Sequence, residues 1–145
     1  MEAVSTAPAI YTAIHTDQAA LAELTAAPHA AAGAVVTFAG VVRDHDEGRA
    51  VVALEYEGHP SAPGVLAGIA ADVATRHPAV LTLRVAHWVG PLEIGDHALY
   101  AEVGAAHRAE AFAACADLVE TVKAQLPIWK RQVFDDGTDE WVNLP

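Results

Sequence analysis

The residues of this chain best placed to do chemistry are its lysines. There are two, Lys123 and Lys130, and both fall in the single segment Lys123-Ala-Gln-Leu-Pro-Ile-Trp-Lys130 of a 145-residue chain. A lysine amine can lose its proton when it is desolvated or crowded by other cations, which an arginine does not do. Pro127 is placed to end a helix, and Ile128 and Trp129 set apolar surface beside Lys130. Apolar surroundings and a second cation together leave more free amine at neutral pH. The structural alternative is a hydrophobic staple for a terminal hairpin with both lysines in solvent. The confinement also has a chance reading, because the composition favours Ala and Arg.

Two other places along the chain could meet anions. Arg43 follows Gly40-Val-Val at a strand end, and its planar fork suits phosphate or carboxylate. The alternative is a solvated loop arginine. His107-Arg108 opens a long helix, where free N–H groups and the helix dipole favour anions. The alternative is that His107 is a cap. Arg131 follows Lys130 directly. Arg49, Arg76 and Arg84 read as structural or solvated.

Helix geometry constrains these groups. Arg108 and Lys123 are 15 residues apart on one expected helix, so their backbones lie roughly 22 Å apart at about 1.5 Å per residue. A straight helix cannot bring both to one small ligand. If both serve one site, they come from different protomers, and a two-fold dimer with composite sites is the expected assembly.

The bulk of the chain narrows the function classes. A formal net charge of -11, with 8 Lys and Arg against 19 Asp and Glu, argues against nucleic-acid binding and against an anionic membrane surface. A small anion in a locally basic pocket remains compatible with it. No apolar run approaches the roughly 20 residues of a membrane span. Met1-Glu2-Ala3-Val4-Ser5 lacks the basic and apolar regions of a signal peptide, so a cytoplasmic location is expected. Cys115, the single cysteine, shares a helical face with Phe112 and Val119 and reads as a buried thiol, with a catalytic nucleophile as the alternative. The 8 histidines show no metal-ligand spacing, so no metal site is expected.

The elements that must position the cations follow from periodicity. Strands are expected at 9–15, 33–42 with an interruption at Gly40, 50–56, 81–89 and 97–103. In the third of these, Leu54 and Tyr56 share one face, with Glu55 and Glu57 opposite. A helix capped by Thr16 or Asp17 runs through Leu21 and Leu24 and ends before Pro28. Two more cover 60–76 and 106–125, and residues 129–134 and 140–142 form a terminal hairpin. Strands and helices mix without strict alternation, so the expectation is one α+β domain over 1–145, with a mixed or antiparallel sheet packed on two or three helices. No Gly-rich phosphate loop is present.

Five stretches, taken in order, resemble the catalytic (large) subunit of molybdopterin synthase, the MoaE family. They are Gly33-Ala-Val-Val-Thr-Phe-Ala-Gly-Val-Val-Arg43, Leu54-Glu-Tyr-Glu57, His87-Trp-Val-Gly-Pro-Leu-Glu-Ile-Gly95, His107-Arg-Ala-Glu-Ala-Phe112 and Lys123-Ala-Gln-Leu-Pro-Ile-Trp-Lys130. The resemblance implies a fold of the α/β-hammerhead type and a homodimer within a heterotetramer. The other subunit would be a small ubiquitin-like, MoaD-like carrier with a C-terminal Gly-Gly thiocarboxylate. It implies a sulfurtransferase that passes sulfur in two rounds to cyclic pyranopterin monophosphate, forming the molybdopterin dithiolene, with no cofactor of its own. Carried over by motif, Lys123 and Lys130 would be catalytic. Arg43, Phe38, His107, Arg108 and Arg131 would bind substrate, with His107 and Arg108 reaching in from the neighbouring protomer. Trp88, Gly58, His59, Ala62 and Gln132 depart from the family pattern, Gln132 standing where glutamate is common. Two other readings stay open: a non-catalytic anion-binding or carrier-docking module on the same fold, and a Schiff-base enzyme using one of the lysines.

Overall fold

The computed structural model describes residues 7–24 and 28–142. The N-terminal residues 1–6 and the expected helix end before Pro28 lie outside the described residues. A four-stranded mixed sheet has the order β1 (Ala9–His15), β5 (Val80–Trp88), β7 (His97–Ala105), β2 (Ala34–Val41). β1 runs parallel to β5, and the other pairings are antiparallel. A second sheet has the order β3 (His45–Asp46), β4 (Arg49–Gly58), β8 (Ile128–Phe134), β9 (Asp139–Val142), with β6 (Gly90–Leu92) also paired to β4. Helices α1 (Ala62–Arg76) and α2 (Arg108–Gln125) complete the architecture, which is α+β as expected.

Both faces of the four-stranded sheet are covered, and its central strands are apolar on both sides for that reason. Leu83 and Val85 of β5 and Ala101 and Val103 of β7 pack under Leu66, Ile69 and Val73 of α1 and Leu118 and Val122 of α2. On the opposite face, Ala86, Trp88, Ala98 and Tyr100 meet Leu54 of β4, Leu92 of β6 and Leu24. Trp88 is fully buried, and its indole N–H donates to the carbonyl of Asp17 at 2.8 Å. This position is therefore a core filler with its one polar atom satisfied. Burial of side chains such as Leu83, Leu118 and Trp88 contributes about 1.5–3 kcal/mol each.

Three local readings are corrected by the structure. The first helix is a 3-10 helix, Gln18–Leu24, started by Asp17, whose carboxylate accepts from the Ala19 N–H at 2.9 Å. The segment after the expected strand 81–89, where Gly90-Pro91 would favour a turn, is strand β6, because Leu54, Glu55 and Tyr56 of β4 offer it an edge. Phe112 is 62% exposed and does not share the buried face of α2. That face is Ala111, Ala114, Cys115, Leu118, Val119 and Val122, where two alanines let the helix approach the sheet closely. Cys115 lies in this core, and burial pushes its thiol up, which suits packing and opposes a nucleophilic role.

Candidate active site

The C-terminal end of α2 delivers the first lysine. Lys123 lies in the last turn, where the dipole favours a cation. The residue before a proline avoids helical geometry, and Leu126 duly turns extended, with φ -68° and ψ 123°. The chain then enters β8 at Ile128 without a loop. Alternation along β8 does the rest: Ile128, Lys130 and Gln132 face inward, and Arg131 faces out. Lys130 pairs across the sheet with Tyr56 of β4.

These residues border a cavity of about 540 Å³ between the end of α2, the second sheet and the 40–43 end of β2. Its walls carry Arg43, Lys123 and Lys130, the polar groups of His87, Tyr56 and Gln132, and apolar Leu54, Leu99, Leu126 and Ile128. No carboxylate is among the lining residues. The register shift at Gly40/Val41 turns the strand end toward the cavity. The space at Gly40 is tight, since a Cβ would meet the Phe38 ring at 3.3 Å and Leu99 Cβ at 3.4 Å. Phe38 thus backs the Gly40 wall and packs on the helix-side core rather than lining the space.

Burial holds the Lys130 ammonium below the usual lysine range. The Asp46 carboxylate opposes that shift, the Lys123 and Arg43 cations add to it, and Glu140 opposes it more weakly. Asp46 stands just behind the lining. Its Oδ1 accepts from the Arg43 guanidinium at 3.0 Å and its Oδ2 from the Gln132 amide at 2.9 Å.

His87 is a functional candidate that the spacing of the histidines did not single out. It is buried, and its ring meets Tyr56 edge-on at 4.9 Å. Burial lowers its pKa to about 4 against the pull of its bond to Trp88, and the Lys123 cation pushes the same way as burial. The ring is therefore neutral at neutral pH. Its Nδ1–H donates to the Trp88 carbonyl at 2.8 Å, so Nε2 is left as an acceptor. No buried side-chain nitrogen or oxygen among the described residues lacks a partner. Nε2, which has no protein partner of its own, accordingly opens to the cavity. The available signal was a polar residue in phase with Leu83 and Val85 at the end of an apolar strand.

The other sequence candidates are not brought to this cavity within one chain. Arg131 points to the far side of β8, where its Nε–H donates to Asp139 at 2.6 Å. His107 occupies the N-cap position of α2 without a side-chain capping bond, and both it and Arg108 are exposed at the opposite end of the helix from Lys123.

The family model described as MoaE protein matches residues 11–125. The chain belongs to the MoaE family. This MoaE protein is 40% identical to a molybdopterin synthase catalytic subunit from Nostoc sp. over 119 residues, 81% of this chain and 72% of the relative. It is 43% identical to the catalytic subunit of that name from Oryza sativa subsp. indica over 108 residues, 74% of this chain and 55% of the relative, so the chain spans about half of the rice protein. Among solved structures, molybdopterin synthase from Staphylococcus aureus superposes with a TM-score of 0.77 at 31% identity, over 90% of this chain and 96% of that one. The MoaE protein from Burkholderia ambifaria gives 0.70 at 32% identity, over 92% and 88%. No helix among the described residues is long and apolar enough to cross a membrane.

Proposed function

We propose that this chain is the catalytic subunit of a cytoplasmic molybdopterin synthase, a sulfurtransferase of molybdenum cofactor biosynthesis. One observation carries the reading: both lysines and Arg43 line one cavity, with no carboxylate among its lining residues, in a protein of net charge -11. Two anions need such a place. One is the C-terminal thiocarboxylate of a small ubiquitin-like carrier, and the other is the phosphate of cyclic pyranopterin monophosphate. The carrier's sulfur passes to the pterin in each of two rounds, and the carrier terminus returns to a carboxylate with an oxygen from water.

In this mechanism Arg43 offers a planar fork to a phosphate or carboxylate. Lys123, at the helix end, holds the second anion. Lys130, with its amine made easier to deprotonate by burial, exchanges protons with the reacting groups. His87 presents a neutral acceptor that positions an N–H or O–H donor without adding charge. His107 and Arg108 complete the site from the second protomer of a homodimer, within a heterotetramer that includes two carriers. Arg131, tied to Asp139 on the outer face of β8, supports the strand rather than the cavity.

The test is reconstitution of the purified chain with thiocarboxylated carrier and cyclic pyranopterin monophosphate, followed by assay of molybdopterin. Lys123→Ala and Lys130→Ala each remove most product formation while the fold is retained. Full activity in both variants would falsify the site assignment.

A further inference from the structure

The cavity's cations need something to aim them, and none of the lining residues is a carboxylate. The nearest carboxylate bonded to this set is Asp46, at the tip of a tight hairpin. β3 pairs with β4 through Asp46↔Arg49, and the two residues between, Glu47 and Gly48, have φ of 49° and 77°. Positive φ at both central positions matches the right-handed twist of a two-residue hairpin, and the non-glycine residue in that region carries strain. The hairpin delivers Asp46 to Gln132, a residue 86 positions away in sequence.

The two bonds to Asp46 differ in kind. Arg43 has a side chain 65% exposed, so its ion pair with Asp46 is a surface one and contributes little to stability. Gln132 is 3% exposed, and its amide N–H donates to the other carboxylate oxygen at 2.9 Å. The buried amide is thus the anchor, and the arginine is the group being held.

We propose that Asp46 is a positioning residue of the reaction: anchored by the Gln132 amide, it orients the Arg43 guanidinium at the cavity and keeps a negative charge beside Lys130. The pairing explains why an amide at 132 fits this chain. A carboxylate there would face Asp46 with like charge and no donor. The Coulombic pull of Asp46 on Lys130 and the shift of Asp46 below the usual carboxylate range, caused first by the Gln132 bond, agree with this placement.

The inference rests on the cavity being the reaction site, but its test does not need activity. Because the chain has two lysines, carbon-13 lysine labelling yields two side-chain signals to follow by NMR, assigned with Lys123→Arg. In Asp46→Asn the Lys130 titration midpoint moves down relative to the native chain, and kcat/KM falls about tenfold, with thermal unfolding unchanged. Gln132→Glu alone also lowers kcat/KM, by splaying two carboxylates. The double variant Asp46→Asn/Gln132→Glu reverses the bond, moves the negative charge to position 132 and brings the Lys130 midpoint back toward native. An unchanged midpoint in Asp46→Asn, or a double variant no different from that single one, overturns the proposal. If Lys130→Ala keeps full activity the reaction-site reading fails instead, and the NMR result still decides the electrostatic role of Asp46.

Discussion

Two clusters of cations in this molecule are built in opposite ways. At the end of α1, Arg76 donates to Asp117 of α2 through two nitrogens, at 2.9 and 3.2 Å, and to Thr121 at 3.2 Å. His77 adds a contact to the same carboxylate at 2.8 Å. Arg76, the largest cause, holds the Asp117 carboxyl down at about 2. Cation and anion complete each other there, and the product is a clamp between two helices. In the cavity, Arg43 alone of the three cations Arg43, Lys123 and Lys130 bonds a carboxylate among the described residues, that of Asp46. A set left electrically incomplete by the chain is a set prepared for a ligand. The acidic protein around it makes that excess local rather than general.

The largest expected effect comes from removing a member of the incomplete set. Lys130→Met lowers product formation on the order of 100-fold or more, as loss of a proton-transfer group does. The same variant should not lose stability. A lysine with a depressed folded pKa binds fewer protons folded than unfolded as pH rises between that pKa and 10.5, so its folding penalty is present below this window and disappears through it. Thermal melts at pH 7 and pH 10 check this: the gap between native and Lys130→Met narrows at the higher pH. A variant much less stable than native would make Lys130 structural and erase the contrast.

The next effect concerns assembly. Arg108→Ala and Lys123→Ala homodimers are each expected to be nearly inactive. Subunit exchange between them recovers roughly a quarter of native activity, because half of the dimers carry one intact composite site. No recovery on mixing would place both residues in the same site of one chain, which the length of α2 forbids for a small ligand.

The complete cluster gives a smaller effect of a different type. Asp117→Asn lowers stability by about 1 kcal/mol after allowance for solvent screening, and leaves catalysis unchanged. The sign follows from the depressed carboxyl: its contribution is present above the unfolded value of 3.8 and is lost as pH falls toward about 2. Denaturant melts from pH 7 down to pH 2 should converge for the two proteins. The smallest effect is a flat line. Nitrogen-15 spectra of His87 show no titration between pH 6 and 8, and its protonation comes near pH 4; a midpoint near 6.5 would mean that the ring is solvated and not the neutral acceptor described above.

Most of the fold was legible because it is local. Alternation and β-branching mark β1, β2, β5 and β7. Four-residue spacing marks α1, and Pro127 marks the end of α2. The lysine pair was legible for a compositional reason, since an acidic, lysine-poor chain makes each ammonium conspicuous. What escaped depends on non-local pairing. Nothing near Asp46 indicates that Gln132 will reach it, and nothing near His87 tells that Tyr56 of β4 will meet its ring edge-on. Phe112 fits a helical stripe on paper, yet alanines at 111 and 114 rotate the buried face away from it.

The alternation along β8 has a consequence for how this protein can vary. Lys130 and Gln132 reach the cavity because they have the same parity on the strand, and Arg131 is kept out by having the other. A single-residue insertion or deletion between Pro127 and Lys130 would exchange the two sets, turning the arginine inward and the lysine out. Composition, charge and hydropathy would hardly change, and much of the sheet could still pair. The chemistry at this strand is therefore written in odd and even positions, and changes of length here should be far less tolerated than changes of residue type on the outer face.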